Sequence, residues 1–353
     1  MAIEIREFEG DAELLSAFVV RHWRAKYAQS GFAPNWTPSY FRWQLPELDA
    51  GHARGVISAY QGTTLVGVNP LEVVPITLRG RRETAVMGDW ITSDASRAGS
   101  GIGRRLWEAN RRFAEQNGAL FVSGLNNTGS LPGEGHGFWK KMTAGNRALL
   151  NKPRTWTRIL NGAKLAAATW TRFDQIGARV AGLIDPIFDS SAAANVRDYR
   201  PSDAAACHAV FERYMRQFDL SYRWDQARLA HHLGCGEPAH ALVLEKAGVV
   251  KGFISFSILD VFGRTIMRNG MIDLLASNDL STRELLDLLR SALSFLRARD
   301  VDVVLAFGPP VNAGTVLSRA GFLPMPSSYK CLLIPTNPST SLGTIKTAYV
   351  YLR

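Results

Sequence analysis

The sequence predicts an α/β protein built of two similar domains, each a mixed central sheet flanked by helices. Three observations carry that prediction. The chain has 353 residues, more than one ordinary domain uses. Hydrophobic residues make up 46% and charged residues 20%, the balance of a packed core and not of a disordered chain. The order of strands and helices also repeats itself, in units of about 150 residues.

The two units open alike. "IEIREFEGDAELLSAFV" begins at Ile3 and "NVRDYRPSDAAACHAVF" at Asn195. Each reads as a short alternating strand, a turn with Asp and an amphipathic helix. A second helical stretch follows in both. Strand pairs come next, "RGVISAYQGTTLVGVNPLEVV" and "HALVLEKAGVVKGFISFSILD", with QGTT and KAGV as hairpin turns. The first unit continues with a strand over Ala85–Thr92, a helix over Ile102–Asn117 and a strand over Ala119–Ser123. Their counterparts are Thr265–Leu275, Thr282–Arg299 and Val301–Phe307. A short helix and a final strand are expected to close each unit. The resulting domains are 1–156 and 193–353, joined by a basic linker over 157–192.

That linker pattern, "TRILNGAKLAAATWTRFDQIGARVAGLIDPIF", allows Leu160, Leu165, Ala168, Phe173, Ile176 and Val180 to share one broad helical face. Arg158, Lys164, Arg172 and Arg179 stand against Asp174, so the segment suits either packing across the domains or an anionic membrane surface. The net charge of +10 favours polyanionic partners without choosing among them. No helix-turn-helix, zinc or basic-aromatic pattern points to nucleic acid. Cys207, Cys235 and Cys331 have no paired or metal-ligand spacing and read as reduced thiols, and no metal is expected. The early acids of "MAIEIREFEGDAELL" predict no secretory peptide, and no apolar stretch is long enough for a membrane span. A cytoplasmic protein, peripheral on the inner face of the cytoplasmic membrane if the linker binds lipid, is the expectation. His231–His232 is expected at the surface.

The chemistry centres on "SRAGSGIGRRL", where Gly99, Gly101 and Gly103 alternate with Ser100 and Ile102 before a helix. Bare backbone at a helix N-terminus suits a phosphate. A Walker loop needs a lysine that is missing, and a dinucleotide fingerprint places its third glycine on Arg104. The longer stretch "VMGDWITSDASRAGSGIGRRLWEANRRFAEQNGALFVSG" resembles the cofactor core of the GNAT acyltransferase superfamily, with Arg97 opening an R-x-x-G-x-G-like loop one residue longer than the family's. "NWTPSYFRWQLPE" and "LNNTGSLPGEGHGFWKKM" resemble members associated with polysaccharide and envelope-lipid pathways, through Tyr40, Phe41 and Trp43, then Asn127, Ser130, Pro132 and Phe138. GEGH between Gly133 and Gly137 departs from that pattern. The resemblance covers most of 3–160.

It implies tandem GNAT-like domains and acyl-CoA or acetyl-CoA as donor, held by Ile91, Ser93, Arg97, Gly99, Ser100, Gly101, Ile102, Gly103, Arg104, Asn127 and Ser130. Asp89, on the strand before the loop, is the first candidate base, with His136 and Glu134 of the GEGHG insert as rivals. The second unit's loop, "ASNDLSTRELL", has no glycine and implies a copy of the fold without the donor site. The expected activity is N-acyl transfer from acyl-CoA to an amine of an envelope lipid, for instance a long-chain sphingoid-type base. N-acetylation of an amino sugar and a non-catalytic tandem scaffold are the alternatives.

Overall fold

A computed structural model gives the fold; it describes every residue except 1, 30, 47, 49–54, 89, 98, 128–147, 150–154, 184–192, 308–312, 326–328, 338, 350 and 352–353. Strand β1 (Ile3–Glu7) leads into helix α1 (Ala12–Tyr27), where the Asp11 carboxylate accepts from the Leu14 amide at 2.8 Å. After β2 (Ala33–Pro34), helix α2 (Pro38–Gln44) starts on a proline behind the Thr37 cap. Strands β3 (Val56–Gln61) and β4 (Thr64–Pro70) turn on Gly62–Thr63, as QGTT predicts. Next are β5 (Glu72–Leu78) and β6 (Arg81–Met87).

The strand expected over Ala85–Thr92 does not run through. β6 ends at Met87, and β7 (Thr92–Ser93) belongs to another sheet. Helix α3 (Ile102–Gln116) and strand β8 (Phe121–Asn127) then follow close to their expected positions. Two short strands, β9 (Ala148–Leu149) and β10 (Thr155–Ile159), end the first half.

The linker is two helices, α4 (Gly162–Ala168) and α5 (Arg172–Leu183), and the expected single apolar face is not formed. Ala166 and Ala168 of α4 are buried, whereas Phe173, Ile176, Val180 and Leu183 of α5 are exposed. The chain leaves helical geometry at Thr169, the C-cap of α4 in extended conformation, which turns α5 onto a different axis. The second half holds β11 (Val196–Asp198), α6 (Ala204–Met215), β12 (Leu220–Tyr222), α7 (Gln226–Gly234), β13 (Ala239–Lys246), β14 (Val249–Phe262) and β15 (Ile266–Ser277). Ala247 and Gly248, both at positive φ, make the KAGV turn. Last come α8 (Thr282–Arg297), β16 (Val303–Phe307), α9 (Ala313–Arg319), β17 (Leu323–Met325) and β18 (Tyr329–Pro335).

The sheets cross the repeat. One has the order β1-β3-β4-β7, a second β12-β5-β6-β8-β18-β9, and the third β11-β13-β14-β15-β16-β10-β17 with β2 against β14. The closing strands are therefore exchanged. β18 of the second half lies antiparallel on β8 of the first, from Tyr329↔Asn127 to Pro335↔Phe121. β10 of the first half lies between β16 and β17 of the second, and the expected boundary at 156 falls inside it. The short strands after the first helix of each half are exchanged too, β2 onto β14 and β12 onto β5. One buried cluster accordingly joins Val74, Met87 and Phe121 to Phe211, Phe253 and Leu333. The two halves share a core.

Candidate functional site

The site forms where the first half's sheet splits. β4 pairs with β7 through Val68↔Thr92 in one sheet, while β6 pairs in parallel with β8 through Val86↔Val122 in another. Gly88, Trp90 and Ile91 lie between them. Gly88 permits the break: a Cβ there would stand 2.6 Å from Asn110 Nδ2. Its amide donates to Ser123 O at 2.8 Å. A buried amide chain ties the split together, with Asn110 Nδ2 of α3 donating to Asn69 Oδ1 of β4 at 3.0 Å. Asn69 Nδ2 donates in turn to the Trp90 carbonyl at 2.8 Å, in place of a ladder partner. Sequence reasoning missed both asparagines, which lie 41 positions apart and match no motif.

Aromatic rings pack beside this split. Trp90 stacks on Trp36 with centroids 5.2 Å apart, and Trp23 meets Trp36 edge-on at 4.6 Å. The Trp23 indole donates to Thr92 Oγ1 at 2.7 Å, and Phe41 lies edge-on to Trp90.

From β7 the chain enters the glycine loop. The Asp94 carboxylate accepts from the Ser96 amide and hydroxyl at 3.0 and 2.8 Å, with Arg97 Nε 3.4 Å away. Burial opposes ionisation of Asp94, but these bonds and nearby His22 hold its carboxyl below the usual value. Burial, and then Arg21, lower the His22 imidazole. Arg97 also donates from Nη1 to Gln61 Oε1, so its guanidinium braces the loop onto β3. Gly99 and Gly101 take left-handed φ of 83° and 78°. Gly101 is the N-cap of α3 and brings no side chain to accept from the first-turn amides. Those amides belong to Ile102, Gly103 and Arg104, and the helix dipole adds partial positive charge there.

Ile102 itself is buried against Ala59, Val66 and Leu106, and Gly67 lets the helix come this close: a Cβ there would be 2.7 Å from Ile102 Cγ2. Arg104 is exposed and ion-pairs with Glu108 at 3.6 Å. Ile91 lies half-buried at the split, Ser93 is exposed on β7 and Ser100 is exposed in the loop. The split, the loop and the helix start thus bring Ile91, Ser93, Arg97 and 99–104 to one end of α3. Asp89, Glu134, His136 and Ser130 lie outside the described residues, as does the side chain of Asn127, whose backbone ends β8.

The matching position in the second half is closed by its own chemistry. Helix α8 is capped by Ser281, whose hydroxyl accepts from the Glu284 amide at 3.3 Å, while Glu284 Oε2 accepts from the Ser281 amide at 2.7 Å. Lys246, then Ser281, hold the Glu284 carboxyl down to about 2. An internal carboxylate occupies the positive helix end that the first half leaves open.

The aromatic segment of α2 has a different place. Tyr40, Phe41 and Trp43 are buried, and the Trp43 indole donates to the His232 carbonyl at 3.0 Å. Its ring stacks on the His232 imidazole at 4.8 Å. His232 is fully buried, with Nε2 2.7 Å from Asp273 Oδ2, and His231 is half-buried at the Trp43 carbonyl. The surface expectation for this pair is therefore wrong: the exchanged halves cover α7. Tyr351 completes the joint through Gln44 of α2, whose Nε2 donates to its hydroxyl at 3.0 Å. Among the described residues no cluster of three or more His, Cys, Asp or Glu could hold a metal.

No family model and no curated protein matches this sequence. Solved structures do match its fold. A crystal structure of Saccharomyces cerevisiae N-myristoyltransferase with bound myristoyl-CoA superposes with a TM-score of 0.76 at 17% identity, covering 99% of this chain and 89% of that one. A second structure of that protein, with myristoyl-CoA and inhibitors, gives 0.74 at 17% identity over 94% and 80%. A GCN5-related N-acetyltransferase from Kribbella flavida gives 0.53 at 12% identity over 94% and 71%. The chain has a tandem GNAT-like fold.

Proposed function

We propose that this protein is an acyl-CoA-dependent N-acyltransferase working from the first half alone. The observation that carries the proposal is the α3 start: a helix capped by left-handed Gly101, open to an anion, beside a split sheet. Amides of 102–104 and the helix dipole suit a pyrophosphate, and the gap at 88–91 suits a thioester arm. The similar fold of a protein solved with myristoyl-CoA supports the same reading. Acyl-CoA supplies a thioester carbonyl that an amine nitrogen attacks, with the coenzyme thiolate leaving. The protein then has to take a proton from the ammonium and return one to the thiolate. Asp89, Glu134 and His136 are the proposed proton carriers, and Asn127 and Ser130 the proposed further contacts to the donor. The acceptor is proposed to be an amine on an apolar molecule, such as a sphingoid-type base of the envelope. The aromatic cluster of Trp23, Trp36 and Trp90 beside the split favours an apolar acceptor over a sugar.

The test is thiol release from acyl-CoAs of graded chain length, followed with a thiol reagent, in the presence of sphinganine, glucosamine or no amine. Release that requires sphinganine is expected. Release with glucosamine alone would move the acceptor to amino sugars. Coenzyme A binding with no release for any amine would contradict catalysis.

A further inference from the structure

Helix α5 (Arg172–Leu183) packs the wrong way round for a globular protein. Its small residues face inward: Ala178 is buried, and Gly182 meets Gly162 of α4 so closely that a Cβ on Gly162 would lie 2.9 Å from Gly182 Cα. Its large apolar residues face out, with Phe173 85%, Ile176 63%, Val180 55% and Leu183 83% exposed. At 3.6 residues per turn these four fall within a sector of roughly 80°, opposite Ala178 and Gly182. The helix cannot roll to hide them, because the glycine contact leaves no room for that face against α4.

Charge surrounds the stripe on one side. Arg172 and Arg179 are exposed and border it on the helix. Arg264, exposed in the β14–β15 turn, reaches the Thr169 carbonyl just before the helix at 3.5 Å. The single acid of the helix, Asp174, is turned to the start of the helix, accepting from Thr171 Oγ1 at 2.6 Å. An apolar stripe with a basic border matches the boundary of an anionic bilayer, where apolar side chains enter the acyl region and arginines meet headgroups. A second copy of this chain would bring the same arginines toward each other. Among the described residues no helix is long and apolar enough to cross a membrane, so contact through a surface helix is the available mode.

We infer that the outer face of α5 docks the protein on anionic bilayers, burying Phe173, Ile176, Val180 and Leu183 with Arg172 and Arg179 at the headgroups. This inference stands on the helix face and not on acyl transfer, so each can fail without the other.

The experiment is co-sedimentation of the full chain with phosphatidylcholine vesicles containing phosphatidylglycerol, against phosphatidylcholine alone. Mostly bound protein on the anionic vesicles at low salt is expected, with several-fold less on neutral ones and a decline as salt rises. Ile176→Glu should cut binding at least tenfold, and the pair Arg172→Glu, Arg179→Glu should remove the preference for anionic lipid. Both variants should keep the wild-type melting temperature and the wild-type shift with coenzyme A, since every substituted side chain is exposed. Absence of co-sedimentation at low salt would overturn the inference, as would undiminished binding by Ile176→Glu. A lipid-free dimer that Ile176→Glu dissociates would overturn it too, by making a second copy the occupant.

Discussion

Gly101 caps the helix start of the proposed donor site. A side chain there would meet no neighbour within 4 Å, yet φ of 78° is a conformation that L residues take at a cost of about 1 kcal/mol or more. Gly101→Glu should therefore leave the chain folded with a slightly lower melting temperature, while its carboxylate repels a pyrophosphate. At least a tenfold loss of coenzyme A affinity, about 1.4 kcal/mol, is expected by calorimetric titration. Asn69 tests the split in another way. It is fully buried and bridges α3 to the Trp90 carbonyl, so Asn69→Ala strands a buried carbonyl and an amide. A loss of about 1–3 kcal/mol in urea unfolding is expected, with weaker donor binding as the gap relaxes. Asp89→Asn should lower kcat while leaving acyl-CoA affinity within about threefold, as loss of a proton carrier does. Near-normal turnover would pass that role to His136 or Glu134. At this scale the glycines were legible, because positive φ and bare amides select one residue type. Asn69 and Asn110 were not, because a hydrogen bond between distant elements leaves no spacing in the sequence.

Among elements, α3 and α8 hold equivalent places in the repeat and differ at their first turns. The second is self-capped by Ser281 and Glu284, with Lys246 Nζ 2.5 Å from the carboxylate. Since the Glu284 carboxyl is depressed from 4.5 to about 2, its contribution is present above pH 4.5 and is lost as pH falls through about 2. Glu284→Gln should lower the melting temperature most at neutral pH, and the gap to wild type should narrow as pH falls from about 4.5 toward 2. A constant gap across that range would refute the electrostatic account of this cap. Both hairpin turns and the spans of α3 and α8 followed from local patterns. The end of β6 at Met87 did not, because the alternating run continues into Ile91 and the bonds that interrupt it, from Gly88 to Ser123 and from Asn69 to Trp90, come from distant elements. The single apolar face expected along the linker did not form for a different reason: periodicity carries through Thr169, where the chain turns extended and starts a second helix.

The whole molecule is closed by exchange. β18 completes the first half's sheet and β10 the second's, and a shared core runs between them. Separated pieces 1–192 and 193–353 would each lack a closing strand and expose the unpaired edges of β8 or β16. Expressed alone, each is expected to aggregate or to show no cooperative melting, whereas the intact chain should unfold in a single calorimetric transition. Two well-separated transitions would contradict the shared core. The repeat anticipated the main strands and helices of both halves but not the short strands β2, β7 and β12, and equal order on each side says nothing about which half a strand joins. That choice depends on edges built by residues far apart in sequence.

On the proposed function, one half binds the donor and the other only copies its shape. Calorimetric titration of the intact chain with coenzyme A tests it most directly, run in parallel on Gly101→Glu and on Ser281→Ala. One molecule bound per chain is expected, with binding lost in Gly101→Glu at an almost unchanged melting temperature and retained in Ser281→Ala. Two molecules per chain, or undiminished affinity in a folded Gly101→Glu protein, would contradict it.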